Sequence, residues 1–213
     1  LYQRNALLKR FKEGVRDLNQ LEVWTNRMVE EGSRVILYRQ QALVEINPWV
    51  NHYHQVMSND RETLGCAYKF GRDVVREPDL DKIKERFRRL LRTRTEDEIR
   101  RGYTLAGPHR DDLQIMMNDR LELRVYGSQG QQRTAALALK LAMVDLIKKR
   151  RGTAPLLLLD DVFSEFDNER KRELLKLLTT GTQTILSTTE LDTTADFLGP
   201  LKLFTVESGV IKD

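Results

Sequence analysis

The stretch YGSQGQQRTAALALKLAMVDLIKK, from Tyr126 to Lys149, joins a short run of Gly, Ser and Gln directly to a long helix with a repeating apolar pattern. The first amide groups of a helix have no acceptor within it, and the helix N-terminus carries partial positive charge, so such an opening binds phosphate readily. The alternative is an ordinary helix cap at Ser128 with Gly130 as a turn residue. The candidate phosphate-binding residues are Ser128, Gln129, Gly130 and Gln131.

The run LLLLDD, from Leu156 to Asp161, reads as an aliphatic strand that ends in two acids. In open α/β sheets ligands bind at the carboxyl ends of the strands. Mg²⁺ takes one or two carboxylates together with phosphate oxygens, so Asp160 is the candidate Mg²⁺ ligand. Asp161 stands where it can orient or deprotonate an attacking water. The structural alternative is a strand that simply ends in polar residues.

A further motif, SEFD at 164–167, precedes a helix predicted over Asn168–Leu178. Asp167 is a good helix cap by itself, and a cap does not exclude a second role. The next apolar strand lies in TQTILSTTE and is followed by Thr189. Strands that alternate with helices predict an α/β fold with a mainly parallel sheet.

The first half of the chain reads as helical. A second periodic run from Leu21 to Val50 predicts an antiparallel helix pair with its turn near Asn19–Gln20, and Pro48 is predicted to kink the second helix or to start a new turn. The pair is either part of a plain bundle or the base of a coiled-coil arm. One apolar stripe of the first helix comprises Leu8, Phe11, Val15 and Leu18.

A basic helix is predicted before Gly102, with Asp79 or Asp81 near its start. Residues 82–101 carry nine Lys and Arg against four acids, a local net charge of 9 − 4 = +5. Such a helix is either a solvated face or a surface for the phosphate backbone of nucleic acid. The candidate DNA-binding residues are Arg88, Arg89, Arg92 and Arg94.

The pattern changes after Gly102. Before it, TLGCAYKF reads as a strand; after it, DDLQIMMND and RLELRVYG alternate with period two around Asn118 and Asp119, which predicts a hairpin. A last strand pair is predicted around Gly209. We therefore expect a helical arm or lid domain at 1–101 and an α/β domain at 102–213.

The composition of the 213 residues is that of a globular chain, 40% hydrophobic and 32% charged, with a net charge of +4. No apolar run approaches the roughly 20 residues that span a bilayer, so no membrane partner is expected. The lone Cys66 is expected to be a buried thiol and favours a reducing, cytoplasmic location. Because the first residue is Leu, we expect the chain to be a piece of a longer protein.

In their order and spacing, SQGQ, LLLLDD and SEFD resemble the signature motif, Walker B strand and D-loop of ABC-type ATPase heads. Together with LAGPHRDDL at 105–113, they resemble the RecF family of bacterial DNA-repair ATPases, which is related to the SMC ATPases. The resemblance implies that 102–213 is the C-terminal lobe of an ATPase head. It extends loosely over the whole chain and tightly over residues 102–190.

This resemblance also implies roles. The signature residues would contact ATP held by a second copy of the protein, so ATP would lie between two heads. Asp160 would support Mg²⁺, Asp161 would be the catalytic carboxylate, Asp167 would lie at the dimer seam and Thr189 would face the nucleotide. The implied partners are DNA at single-strand gaps and a RecR-type recombination mediator, with a role in the SOS response.

Departures from the family pattern qualify these roles. No G-x-x-x-x-G-K-[ST] phosphate-binding loop occurs in the chain, so we expect it alone neither to bind ATP tightly nor to hydrolyse it. Asp161 stands where most such heads have Glu, and Thr189 where many have His, which favours a slow ATP switch. His109 and Arg110 form either a structural turn or a ligand contact. The alternative functions are the nucleotide-binding half of a transporter and a non-hydrolysing SMC-like connector.

Overall fold

The computed structural model of the chain describes residues 1–14, 17–178, 181–189 and 202–212. The described helices are α1 (Tyr2–Lys12), α2 (Leu18–Ser58), α3 (Leu80–Arg101), α4 (Leu123–Tyr126), α5 (Gln129–Arg151) and α6 (Asn168–Leu178), and Val162–Glu165 forms a 3₁₀ turn. The described strands are β1 (Leu64–Phe70), β2 (Asp73–Val75), β3 (Asp112–Met117), β4 (Leu121–Glu122), β5 (Leu157–Asp160), β6 (Thr184–Ser187), β7 (Thr205–Glu207) and β8 (Val210–Lys212). Val15, predicted for the apolar stripe of the first helix, lies outside the described residues.

The chain forms two compact units that alternate along the sequence. The first unit comprises Leu1–Asn47 and Gly65–Glu122, and the second comprises Pro48–Leu64 and Leu123–Asp213. Helix α2 contributes to both, and the change from one unit to the other falls at Pro48. The functional division of the chain between residues 101 and 102 stays a prediction.

The helix ends follow the sequence signals. At the start of α3, the Asp79 side chain accepts hydrogen bonds from the amides of Asp81 (2.9 Å) and Lys82 (3.4 Å). At its end, Gly102 adopts the left-handed conformation that a residue with a side chain rarely takes, with φ of 78°. The predicted bounds of α6 agree with the structure.

Strand pairing confirms the α/β class, with a sheet that is partly parallel. Strand β5 pairs with β6 in parallel, with Leu157 opposite Thr184 and Asp160 opposite Ser187. A four-stranded sheet has the order β2-β1-β3-β4, in which β1 pairs antiparallel with β2 and β3 antiparallel with β4. The predicted last pair forms as β7 and β8, antiparallel.

Two predicted boundaries were wrong. Helix α2 begins at Leu18, because the Asp17 side chain accepts from the Gln20 amide (2.9 Å) and caps it, so the turn lies before Asn19–Gln20. The predicted strand RLELRVYG retains strand structure at Leu121–Glu122 only. Its continuation is helix α4, because the Gly127 amide donates to the Leu123 carbonyl (2.9 Å) as the chain turns into α5.

Each unit has its own buried interior. In the second unit α5, β5, the 3₁₀ turn and α6 enclose an aliphatic and aromatic cluster. In the first unit Cys66 is buried as expected, and burial raises the pKa of its thiol to about 11. None of the described helices combines the length and apolar character needed to cross a membrane. Members of the second unit's cluster are Met57, Leu137, Ala138, Leu141, Leu157, Leu159, Phe163, Phe166, Leu174, Leu175 and Leu178.

A buried ion pair joins α1 to α3 in the first unit. Arg4 Nη2 lies 2.6 Å from Glu98 Oε2, and both side chains are almost completely buried. The Arg4 guanidinium also donates to the hydroxyls of Thr25 (3.0 Å) and Thr104 (2.6 Å). The second Glu98 oxygen accepts from the Leu105 amide (2.7 Å). The network therefore satisfies both charges away from water.

We predict that Glu98→Gln lowers the free energy of unfolding by about 3–5 kcal/mol, because Arg4 would keep a buried charge without its partner. The matched control is Glu85→Gln, which breaks an exposed pair with Arg89 (3.3 Å) and should cost less than about 1 kcal/mol. Urea unfolding of both variants measures the difference. Equal effects would contradict the prediction.

Candidate functional site

Helix α5 begins with a reciprocal pair of hydrogen bonds. The Ser128 hydroxyl accepts from the Gln131 amide (3.2 Å), and the Gln131 side-chain oxygen accepts from the Ser128 amide (2.8 Å). This is a capping box, in which two amides at the helix start receive acceptors. The next two amides, of Gln129 and Gly130, lie in the first turn, where a helix provides no carbonyl acceptor. Ser128 and Gln129 are exposed, so this end of the helix is open to a ligand.

Gly130 lies within the first turn of α5, so its interpretation as a turn residue was wrong. A side chain here would crowd Arg170, because a Cβ on Gly130 would lie 3.1 Å from Arg170 Nη1. The neighbouring Gly127 is more tightly enclosed, with a Cβ position only 2.5 Å from the Leu123 carbonyl oxygen. Gly127 therefore permits close packing against a fixed backbone carbonyl, whereas at Gly130 the neighbouring atom is the end of a flexible side chain.

Asp167 caps α6 and lies near the same arginine. Its Oδ1 accepts from the Arg170 amide (2.8 Å), which confirms the predicted cap. Its other oxygen lies 3.9 Å from Arg170 Nε. Since Arg170 also lies beside Gly130, this one side chain connects the SQGQ motif to the SEFD motif.

Asp160 is the last residue of β5, Asp161 follows it at the start of the 3₁₀ turn, and both are exposed. Ser187, the parallel partner of Asp160, donates a short hydrogen bond from its hydroxyl to Asp160 Oδ1. The Asp161 amide donates to the carbonyl oxygen (3.2 Å) and the hydroxyl (3.0 Å) of Ser187. Asp161 is held in the left-handed region with φ of 46°, which is uncommon for a residue other than glycine and is frequent at functional sites.

Ser187 was missed as a site residue. The sequence prediction named Thr189 instead, which is exposed and lies two residues beyond the end of β6. The signal was present in the sequence, since two neighbouring parallel strands that end in Asp and Ser place these residues side by side. The register itself came only from the structure.

The residues at this edge fit a magnesium ion in part. Asp160 offers an exposed carboxylate fixed by Ser187, and Mg²⁺ typically takes one or two carboxylates with phosphate and water oxygens. Among the residues that the structure describes, no group of three or more His, Cys, Asp or Glu could enclose a metal by itself. The described residues therefore offer Mg²⁺ the Asp160 carboxylate, and phosphate and water oxygens would have to complete its coordination.

Glu62 was also missed, and it contacts the signature motif directly. The Gln131 side-chain amide donates to Glu62 Oε1 (2.6 Å). The other Glu62 oxygen lies 3.8 Å from Nε2 of His54, whose ring is fully buried. Burial lowers the pKa of His54 below its usual range. No sequence motif identifies Glu62, because its hydrogen bond with Gln131 joins residues 69 positions apart.

The candidate DNA-binding residues belong to the first unit and differ in the contacts they make. Arg94 donates to the Leu105 carbonyl (3.2 Å) and supports the fold. Arg89 pairs with Glu85 on the exposed face of α3. Arg88 and Arg92 lie one helical turn apart, and neither has an ion pair with a described residue. Arg88 and Arg92 therefore lie on the same side of α3, where Arg92 is exposed and Arg88 is half-buried.

The GPHRDD stretch also belongs to the first unit, where it makes internal contacts. His109 Nε2 lies 3.5 Å from the Thr104 carbonyl, and burial lowers the pKa of this histidine. Arg110 lies over the Tyr103 ring at 5.3 Å from the centroid. The Asp111 carboxylate accepts from the Tyr68 hydroxyl (2.7 Å). These contacts fit the interpretation of the stretch as a structural turn.

Comparison with known proteins confirms the resemblance to RecF. A relative named DNA replication and repair protein RecF, from Halothermothrix orenii, is 41% identical over 214 residues, covering 99% of this chain and 57% of the relative. A solved structure described as the recombination mediator protein RecF with ATP in the RecFOR pathway is 32% identical, with a TM-score of 0.80. A second, described with ATPrS, is 33% identical, with a TM-score of 0.79.

The two structures cover 100% and 99% of this chain, and each matches over 55% of its own length. The chain thus spans a little over half the length of these relatives. No family model matches the chain.

We predict different stability effects at Gly127 and Gly130, the two glycines on either side of Ser128. Gly127→Ala should lower the free energy of unfolding by about 1–3 kcal/mol, because the new methyl group would meet a backbone carbonyl that cannot move aside. Gly130 is helical, and a methyl group there meets the end of a flexible side chain, so Gly130→Ala should be neutral or should stabilise by up to about 1 kcal/mol. Urea unfolding of the two variants measures both effects. An equal loss of unfolding free energy in both would contradict the difference in packing at the two glycines.

Proposed function

Since this chain is homologous to the RecF proteins over its whole length, we propose that it is one lobe of a RecF-type DNA-repair ATPase that binds ATP between two copies of the protein. The observation that carries the proposal is the capped start of α5, where Ser128 and Gln129 are exposed and the amides of Gln129 and Gly130 lie in the first helical turn. In this proposal the phosphate that α5 contacts belongs to ATP on the other copy. The similar structures, by their descriptions, contain ATP or ATPrS.

The polar residues of the candidate site have different roles in the proposal. Ser128, Gln129, Gly130 and Gln131 would receive the terminal phosphate through helix amides and side-chain donors. Asp160, held by Ser187, would provide a carboxylate for Mg²⁺, which when bound neutralises charge on phosphate oxygens. Thr189, exposed beyond β6, would face the nucleotide as a hydrogen-bonding group that carries no charge.

Asp161 is proposed to orient the attacking water and to accept its proton. The fixed amide of Asp161 holds the backbone, so its side chain extends from a rigid strand end. The carboxylate of Asp is one methylene shorter than that of Glu and reaches less far. We therefore propose slow hydrolysis, with ATP acting as a switch for dimerisation.

Asp167 is proposed to lie at the dimer seam. It already caps α6 through Oδ1, and its second oxygen lies near Arg170 at the edge of the signature motif. Because Arg170 lies near both Asp167 and Gly130, a phosphate bound at the start of α5 would change the surroundings of the Asp167 carboxylate through Arg170.

DNA is the proposed target, and a RecR-type recombination mediator is the proposed partner. The relatives are named for DNA replication and repair, and the similar structures are described within the RecFOR pathway. The roles at single-strand gaps and in the SOS response are part of the same proposal and rest on the family alone. Within α3, Arg88 and Arg92 are the residues we propose for binding DNA phosphates.

We predict that Ser128→Arg in the full-length protein leaves ATP binding unchanged but abolishes ATP-dependent dimerisation, because the bulky cation fills the place of the partner's phosphate. Asp161→Asn is the matched variant: Asn tolerates the left-handed conformation, so this variant should still dimerise while its turnover falls at least about 100-fold. Equilibrium dialysis and sedimentation velocity measure the two steps. A Ser128→Arg protein that dimerises normally would rule out the assignment.

We predict that replacing Arg88 and Arg92 with Ala weakens DNA binding by the full-length protein. The slope of log K against log salt concentration should also become shallower by roughly 0.9 for each duplex phosphate that the protein no longer neutralises. Arg100→Ala is the control, since Arg100 is exposed on the same helix but already paired with Asp97. Fluorescence anisotropy over a salt series gives both quantities. An unchanged slope in the double variant would remove these residues from the DNA surface.

A further inference from the structure

Gln131 is held from two sides by bonds that fix which way its amide points. Its side-chain oxygen accepts from the Ser128 amide (2.8 Å), while its side-chain nitrogen donates to Glu62 Oε1 (2.6 Å). An amide side chain can rotate to exchange its oxygen and nitrogen, and the partners decide the orientation. Glu62 Oε1 accepts this bond only from the amide nitrogen of Gln131, so the orientation that makes it also directs the Gln131 oxygen into the capping box.

Glu62 is itself well placed to hold this bond. Its side chain is 19% exposed, and it lies in the loop after α2, between Ser58 and β1. Nε2 of the buried His54 ring lies 3.8 Å from the other Glu62 oxygen, beyond hydrogen-bond distance, and neither ring nitrogen has a hydrogen-bond partner among the described residues.

The same neighbourhood includes the second motif. Glu62, Asp167 and Arg170 line one small pocket in the second unit. Arg170 lies against Gly130 and near Asp167, so a displaced Gln131 would leave the start of α5 supported on one side only. Of these two residues, Glu62 is hydrogen-bonded to the signature motif and Arg170 lies beside it.

We propose that Glu62 is a positioning residue, which orients the Gln131 side chain so that the start of α5 is preorganised for the phosphate of the partner's nucleotide. The effect of Glu62 on dimerisation rests on the proposed function, whereas the orientation of Gln131 by Glu62 does not. Glu62 touches neither the nucleotide nor the reacting atoms. It acts through Gln131 alone, by supplying a hydrogen-bond acceptor.

The test uses Glu62→Ala, which removes the acceptor, and Glu62→Gln, which keeps an acceptor oxygen at the same reach. Both are made in the full-length protein, with Glu169→Ala as control, because Glu169 lines the same pocket and has no bond to Gln131. We expect Glu62→Ala to weaken ATP-dependent dimerisation about tenfold with unchanged ATP binding, while Glu62→Gln and Glu169→Ala stay within about twofold of the unmodified protein.

A second measurement separates this inference from the proposed function. Hydrogen exchange of the Ser128 and Gln131 amides in the ATP-free protein should accelerate about tenfold in Glu62→Ala and return to the original rate in Glu62→Gln. Unchanged exchange in Glu62→Ala, or equal acceleration in both variants, overturns the positioning role. If exchange responds as expected but the unmodified protein never dimerises with ATP, the proposed function fails and the positioning role survives.

Discussion

The capping box between Ser128 and Gln131 is the interaction on which the candidate site depends. It satisfies two amides at the start of α5 and leaves those of Gln129 and Gly130 in an exposed first turn. A helix start of this kind attracts an anion without any charged side chain. Because the bonds come from side chains of the helix itself, the proposed anion site would be formed before any ligand arrives, and binding would have little ordering cost to overcome.

A second constraint is the parallel register of β5 and β6. It places Ser187 beside Asp160, and Ser187 in turn fixes the Asp161 backbone in a left-handed conformation. The two acids are therefore presented by a rigid strand end. The two constraints lie in one compact unit, which therefore contains both the carboxylates proposed to act in cis and the helix start proposed to act on another copy of the protein.

Much of this architecture was predictable because local rules govern it. Asp79 and Gly102 bound α3, and Ser128 and Asp167 cap their helices as their residue types require. Motif order identified the RecF relationship. What failed depends on interactions between residues distant in the sequence: Ser187 and Glu62 act through partners 27 and 69 residues away. The strand predicted after Leu121 failed because the alternation of LELRVY does not reveal that the chain must turn at Gly127 to enter α5.

The central claim is that the signature residues act on the nucleotide of the other copy, while Asp161 acts on its own. Mixing two full-length variants tests it directly: Ser128→Ala, which removes the hydroxyl without adding bulk, and Asp161→Asn. Each alone should lose most of its ATP turnover. In an equal mixture, half of the randomly formed dimers are mixed and each has one of two sites intact, so turnover should recover to at most about a quarter of the unmodified value. A mixture no more active than its two components would contradict the account.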